Sequence, residues 1–351
     1  MKTLLIPLLA LMLGAAQPVP DPTPPEPPIP PPAAVDPALE GSRIVRGNKV
    51  APGTAPWQVQ IFTTVPIPPE TLEEDRRKPP TDTSKLFLDK LPEWERDHLC
   101  GGALIGDGWV LTAAHCFVRG DESIAGPDQR RARLGSNQLT RATEMAVDRV
   151  VVHADYRNSG NKRHDIALIH LVPDAATNRQ LLARARPVAI ATPATRAFVP
   201  REMLRVTGWG ITGERRSGAT RSIDGKLLRG SPDLLEAELN VAPLARCRAI
   251  DSYKPIVWDG VICAVGDDTD QDTCQGDSGG PMLMTGAEGD VLVGVVSTGK
   301  GCGLKGVPGL YTRVASYADW IRAVTAAMPP PDRMRCRLQG RGARARLECL
   351  A

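Results

Sequence analysis

The chain has 351 residues, 42% of them hydrophobic and 24% charged, which gives room for about two domains with a sizeable core and excludes wholesale disorder. Forty-three Lys and Arg against 40 Asp and Glu leave a net charge of +3, so no global basic field points to nucleic acid or to an anionic membrane. With 33 Gly, 33 Pro and only 4 Phe, 6 Trp and 4 Tyr, turns and irregular segments are expected to outweigh long helices.

Lys2, the apolar run over residues 4–13 and Gly14-Ala15-Ala16 have the charged start, short apolar middle and small-residue exit of a secretory signal, with the cut expected near Ala16. The run is shorter than the roughly 20 residues a bilayer span needs, and no other segment is long and apolar enough, so no transmembrane segment is expected. No Cys stands near the cut to carry a lipid. Residues 18–37 form a proline-dense tract that populates extended polyproline II and buries no core; residues 17–43 read as a propeptide. The expected location is secreted or periplasmic.

From residue 44 onward the sequence turns to short β-like runs between turn signals, at 57–62, 102–112, 145–152, 166–171, 203–209 and 291–297. The fold class expected is all-β. Residues 63–98 are polar and proline-rich and read as a surface insertion; the Pro-Pro pairs there argue against a regular core element. Tyr317, Trp320, Ile321 and Val324 recur at helical spacing, so one amphipathic helix is expected to close the domain, stopped by Pro329-Pro330-Pro331. Residues 329–351 form a C-terminal extension with Arg333, Arg335, Arg337, Arg341, Arg344 and Arg346 against Asp332 and Glu348. Such a run reads first as a solvated face and second as a site for an anionic partner.

Cysteines stand at 100, 116, 247, 263, 274, 302, 336 and 349. An even count in an exported chain, with no CxxC pair or Cys/His ladder of zinc spacing, favours four disulfides over a metal site.

Three separated pieces carry chemistry: Leu111-Thr112-Ala113-Ala114-His115-Cys116, Asp165-Ile166-Ala167-Leu168 and Gly276-Asp277-Ser278-Gly279-Gly280-Pro281. A serine hydroxyl is a poor nucleophile at neutral pH, so Ser278 needs a base within hydrogen-bond reach, and His115 is the matching residue. His98, His153, His164 and His170 compete on residue type alone, but only His115 sits in the TAAHC frame. In this order and with flanking cysteines, the three pieces resemble the trypsin/chymotrypsin family of serine endopeptidases over about residues 44–327.

The resemblance implies two packed six-stranded antiparallel β-barrels with a C-terminal helix, over residues 44–328, and an active site in the cleft between them. It implies a triad of His115, Asp165 and Ser278, in which the carboxylate orients and stabilises the imidazole, and an oxyanion hole from the N–H groups of Gly276 and Ser278. It implies the pairs Cys100–Cys116, Cys247–Cys263 and Cys274–Cys302, which leaves Cys336 with Cys349 outside the family pattern. Arg43-Ile44 resembles the family's activation site: cutting after Arg43 frees an ammonium on Ile44 that buries itself against Asp277. His98 is then expected to hold Asp277 before the cut. Arg46 replaces a glycine common in the family, so a special backbone angle there would be strained.

Asp272, six residues before Ser278, takes the position that floors the primary pocket in trypsin-like members and asks for a long cationic side chain, hence cleavage after Arg or Lys. Thr273 stands beside that floor, Gly299 and Gly309 align with the pocket walls, and Ser297-Thr298-Gly299 with the edge that pairs with substrate backbone. Thr298 replaces a common tryptophan. Ser136-Asn137-Gln138 lacks the acidic ligand of the family's calcium loop, so no metal and no cofactor are expected. The expected partners are protein or peptide substrates with Arg or Lys at the cleavage position, and protein inhibitors, met by a monomer. Two rival readings remain open: a catalytically silent homologue acting as a binding module, and an esterase using the same triad.

Overall fold

A computed structural model of the chain describes residues 44–350 apart from Thr83, Asp174, Pro200 and residues 214–228, 328–331 and 341–344. The expected signal segment, the proline tract, Arg43 and the proline stop of the last helix lie outside the described residues. Among the described residues no helix is long and apolar enough to cross a membrane.

After a two-residue strand β1 (Asn48–Lys49), six strands form the first barrel: β2 (Gln58–Thr63), β3 (His98–Gly106), β4 (Trp109–Thr112), β5 (Arg130–Leu134), β6 (Thr143–His153) and β7 (Ala167–Val172). The antiparallel pairing runs β2–β3–β4–β7–β6–β5 and returns to β2. A short β8 (Ala189–Ile190) leads to the second barrel: β9 (Met203–Gly208), β10 (Leu235–Ala242), β11 (Val261–Val265), β12 (Pro281–Gly286), β13 (Gly289–Thr298) and β14 (Gly309–Arg313). Its ring has the same connectivity, β9–β10–β11–β14–β13–β12 and back to β9. Closure leaves neither barrel with a terminal strand, although the second half of β6 extends beyond its pairing with β5; β1 and β8 extend β10 and β13. The two six-stranded barrels expected from the sequence are therefore present.

The inner faces fill as strand alternation dictates. Ile61, Trp109, Leu111, Met145 and Leu168 pack in the first barrel; Leu204, Val206, Leu239, Met282 and Tyr311 pack in the second. The run at 102–112 is two strands rather than one, because Gly106, Asp107 and Gly108 all adopt positive φ and turn the chain back. Helices α1 (Pro69–Arg77) and α2 (Glu93–Arg96) lie in the insertion, α3 (Ala176–Arg184) and α4 (Leu244–Arg248) in connections, and α5 (Ala318–Ala327) follows the last barrel strand. Trp320, Ile321 and Val324 of α5 bury into the first barrel's core, as their spacing predicts.

The arginine-rich extension departs in part from expectation. Residues 333–350 form a hairpin, β15 (Arg333–Gln339) and β16 (Arg346–Leu350), with Cys336 directly opposite Cys349. Strand β15 runs parallel to the second half of β6, from Arg333 beside Val150 to Cys336 beside His153, whereas β5 pairs only with residues 143–146 of β6. The tail thus occupies the side of β6 that β5 has left. Met334 and Cys336 join the core, and Trp320 Nε1 donates to Cys336 O at 2.9 Å. Arg335 reaches Tyr156 O and Glu122 O at 2.8 and 2.6 Å, and Arg337 pairs with Glu348 at 2.8 Å. Arg335 is built into the fold, whereas Arg333, Arg337 and Arg346 stay on the solvent side of the hairpin, as the solvated-face reading expects; Arg341 and Arg344 lie outside the described residues. All four disulfides pair as expected: Cys100–Cys116, Cys247–Cys263, Cys274–Cys302 and Cys336–Cys349.

Candidate active site

The first barrel supplies His115 and Asp165. His115 sits on a tight turn, Ala114–Cys116, directly after β4, and Cys116 ties that turn back to Cys100 in β3. Asp165 precedes β7 and is 4% exposed. Its carboxylate can only accept, so His115 Nδ1 donates to Oδ2 at 2.8 Å while His115 N donates to Oδ1 at 2.9 Å. Two hydroxyls from the second barrel lock it further: Ser297 Oγ donates to Oδ2 at 2.6 Å and Thr312 Oγ1 to the Asp165 carbonyl at 2.7 Å.

These bonds set the protonation of the pair. Burial opposes a charge on His115, but the Asp165 charge and hydrogen bond outweigh it and hold the imidazole above its ordinary value. Burial likewise opposes ionisation of Asp165, and His115 and Ser297 outweigh it and keep the carboxyl below its ordinary value. The result is an imidazole aimed by an anionic carboxylate, with its Nε2 free of that bond.

The second barrel supplies the serine turn. Ser278 O accepts the Gly101 N–H of β3 at 2.7 Å, which fixes the turn against the other barrel. Gly276 has φ +95°, and a Cβ there would lie 2.8 Å from Gly210 Cα, so only glycine fits beside the serine. His115, Asp165 and Ser278 line one cleft of about 330 Å³ together with Asp272, Thr273, Ser297, Gly299 and Gly309.

Asp272 accepts hydrogen bonds from Thr273 N and Gly303 N, both at 2.8 Å. Burial pushes its carboxyl up to about 7 despite them. Thr273 turns its hydroxyl to Tyr311 OH at 2.9 Å. Asp277 is 1% exposed and accepts from Gly210 N and Cys274 N at 2.9 and 2.8 Å; burial pushes it, too, up to about 7. Among the described residues, neither Asp272 nor Asp277 faces a cationic side chain.

Ile44 and Val45 are buried, at 0% and 1% exposure, and Val45 O accepts the Asp272 N–H at 3.3 Å. The segment after Arg43 is therefore seated against the loop that carries Asp272. Arg46 has φ +58°, the left-handed conformation that was expected to be strained for a residue with a Cβ.

His98 does not reach the Asp277 carboxylate. Its Nε2 hydrogen-bonds Gly276 O and its Nδ1 faces Gln60 Nε2, both at 2.7 Å, so it braces the residue before Asp277 instead. The other histidines are used structurally: His170 meets Asp148 at 2.8 Å, and His164 stacks on His153 and meets Tyr317 OH at 3.1 Å. The ligand atoms of His153, Asp155 and His164 lie within 4.8 Å of one another, a grouping the sequence did not suggest because the residues belong to two ends of one loop. The roles of Ser297 Oγ and Thr312 were also missed, since a lone hydroxyl 132 or 147 residues from its partner leaves no local signal.

Residues 87–321 match the family model described as Trypsin. The human protein "Serine protease 41" is 33% identical over 246 residues, covering 67% of this chain and 71% of its own length. With two closed barrels and four disulfides agreeing, the chain belongs to the trypsin family of serine proteases.

Proposed function

We propose that this chain is an exported endopeptidase, made as a zymogen, that hydrolyses peptide bonds after Arg or Lys. The observation that carries this reading is the shared cleft: a half-buried carboxyl, Asp272, lines it together with Ser278, His115 and Asp165. A substrate guanidinium or ammonium entering to meet Asp272 brings its own carbonyl to the serine. Ser278 Oγ then attacks that carbonyl and passes its proton to His115 Nε2; the amine leaves with that proton, and water reverses the sequence to free the acid. Gly276 N and Ser278 N take the developing oxyanion. Cleavage after Arg43 frees the Ile44 ammonium for Asp277, and activity falls in alkali as that ammonium loses its proton. The propeptide spans residues 17–43 behind a signal over residues 1–16.

Protein beginning at Ile44, and its Ser278→Ala counterpart, should be incubated with a mixed peptide library. Cuts after Arg and Lys that vanish in the variant support the proposal. No cuts from folded protein beginning at Ile44 would favour the silent, partner-binding homologue, and turnover of small esters alone would favour an esterase.

A further inference from the structure

Ser278 and His115 also line a second cavity, of about 430 Å³, whose lining does not include Asp272. Its far wall comes from the insertion: Leu86, Leu88, Leu91 and Trp94 face Trp209 and Ile211 of the second barrel. Leu86 is 47% exposed, a large apolar side chain left in solvent beside a reactive serine. Glu95, the one acidic residue of that wall among the described residues, is paired there with Arg229 Nε at 3.2 Å and accepts Gly230 N at 2.8 Å.

The leucine strip is held by a small internal frame. Asp75, buried at the end of α1, accepts Leu86 N at 2.5 Å and Leu88 N at 2.9 Å. Lys85 Nζ turns inward and donates to the carbonyls of Asp75, Arg76 and Lys78 at 2.6, 3.0 and 2.7 Å, closing the C-terminal end of α1. Trp94 is fixed on its other side, its carbonyl accepting Gln60 Nε2 at 3.1 Å. Loops that merely cover a surface do not need a buried carboxylate and a buried ammonium to set their shape.

The geometry points to a substrate-binding site: the insertion forms an apolar pocket for the leaving-group side of the substrate, selecting a large aliphatic or aromatic residue within the first two positions after the scissile bond. This rests on the peptidase reading above. A substrate bound with its basic residue toward Asp272 and its carbonyl at Ser278 must carry its chain onward past His115, and the Leu88–Leu91 wall is the surface it then meets. An apolar side chain there leaves water against Leu86, Leu88, Leu91 and Trp94, whereas an acidic, amide or hydroxyl side chain would be desolvated against those same apolar side chains. Asp75 and Lys85 are positioning residues for that wall.

The test uses protein beginning at Ile44 on two kinds of substrate. One is an arginyl amide of a small dye, which has no residue after the scissile bond. The other is a peptide series with one Arg followed by Leu, Phe, Ser or Asp in each of the next two positions. The expected result is that Leu and Phe exceed Ser and Asp by about tenfold or more in kcat/KM. Within the Leu88→Ser/Leu91→Ser variant that ratio should shrink to about twofold, and Leu88→Arg should turn the preference toward Asp. Asp75→Asn should weaken the ratio in the same direction while kcat/KM for the Asp peptides moves little. Cleavage of the amide and of all peptides without preference overturns the pocket alone, as does a preference that survives both leucine variants. Failure to cleave either substrate overturns the peptidase reading and this proposal with it.

Discussion

Ser297 Oγ donates at 2.6 Å to the same Asp165 oxygen, Oδ2, that faces His115 Nδ1 at 2.8 Å. One hydroxyl from the second barrel therefore shares the carboxylate that orients a histidine of the first. Removing it in Ser297→Ala leaves more of the Asp165 charge to His115, whose affinity for a proton, already above the ordinary value, rises further. In the proposed mechanism activity needs neutral His115 and is lost as pH falls through that value. The acid limb of kcat/KM should move to higher pH by up to about one unit; an unmoved limb would show that the hydroxyl carries no share of the charge.

Buried Asp277 and half-buried Asp272 make the uncut protein sensitive to pH. Asp272 and Asp277 are each raised from 3.8 to about 7, so the folded chain binds more protons than the unfolded one between those values. Stability is greatest below 3.8 on this account, declines as pH rises, and has lost the full contribution above about 7. For fully buried Asp277 the loss amounts to as much as about 4 kcal/mol. Urea unfolding of the uncut Ser278→Ala chain between pH 4 and 8 should show this slope, and adding Asp277→Asn should flatten it by about half.

Asp272 also predicts how substrate binding depends on acidity. A cationic side chain needs the carboxylate, so KM for an arginyl substrate should rise as pH falls below about 7, while kcat follows His115. Asp272→Ser should lose about 10²–10³ in kcat/KM on Arg and Lys substrates, because their charge would be buried unpaired. Retention of the Arg and Lys preference in that variant would place the specificity elsewhere.

The tail is expected to matter for stability and for the cleft. Cys336→Ser/Cys349→Ser opens a bridge spanning 13 residues and should cost about 3 kcal/mol, read as a lower midpoint in thermal unfolding. Arg335→Ala removes the bonds to Tyr156 O and Glu122 O, and Tyr156 and Asn158 line the cleft. That variant should raise KM for peptides about three- to tenfold with kcat nearly kept. An unchanged KM would leave the tail with a purely structural role.

The site was legible because its pieces are local words: the residues around His115, Asp165 and Ser278 each need a short fixed frame, and the cysteines beside them pair across it. The insertion was harder. Pro68-Pro69 reads as a break, yet Pro69 opens α1, where its missing N–H costs nothing, and the Glu73–Arg77 and Glu74–Lys78 pairs support the turns that follow. The tail was read only in part: its solvated arginine face was legible, its strand was not. Its arginines alternate with Met334, Cys336 and Leu338, a period of two that marks a half-buried strand, but charge dominates the eye when every second residue is Arg. His98 shows the remaining limit: its frame was right, and its partner differed by one residue, a displacement only coordinates resolve.

The parallel pairing of β15 with β6 also has a consequence for a shortened chain. Arg335 reaches back 179 residues to Tyr156 and 213 to Glu122, and Met334 and Trp320 fill the first barrel's core from the end of the chain. Without β15 the ring of the first barrel still closes through β5, but residues 150–153 of β6 lose their partner on that flank and the core loses Met334 and Cys336. The neighbour on that flank comes from residues 333–339, so a chain cut before Arg333 would present an unpaired, aggregation-prone flank that β15 otherwise covers.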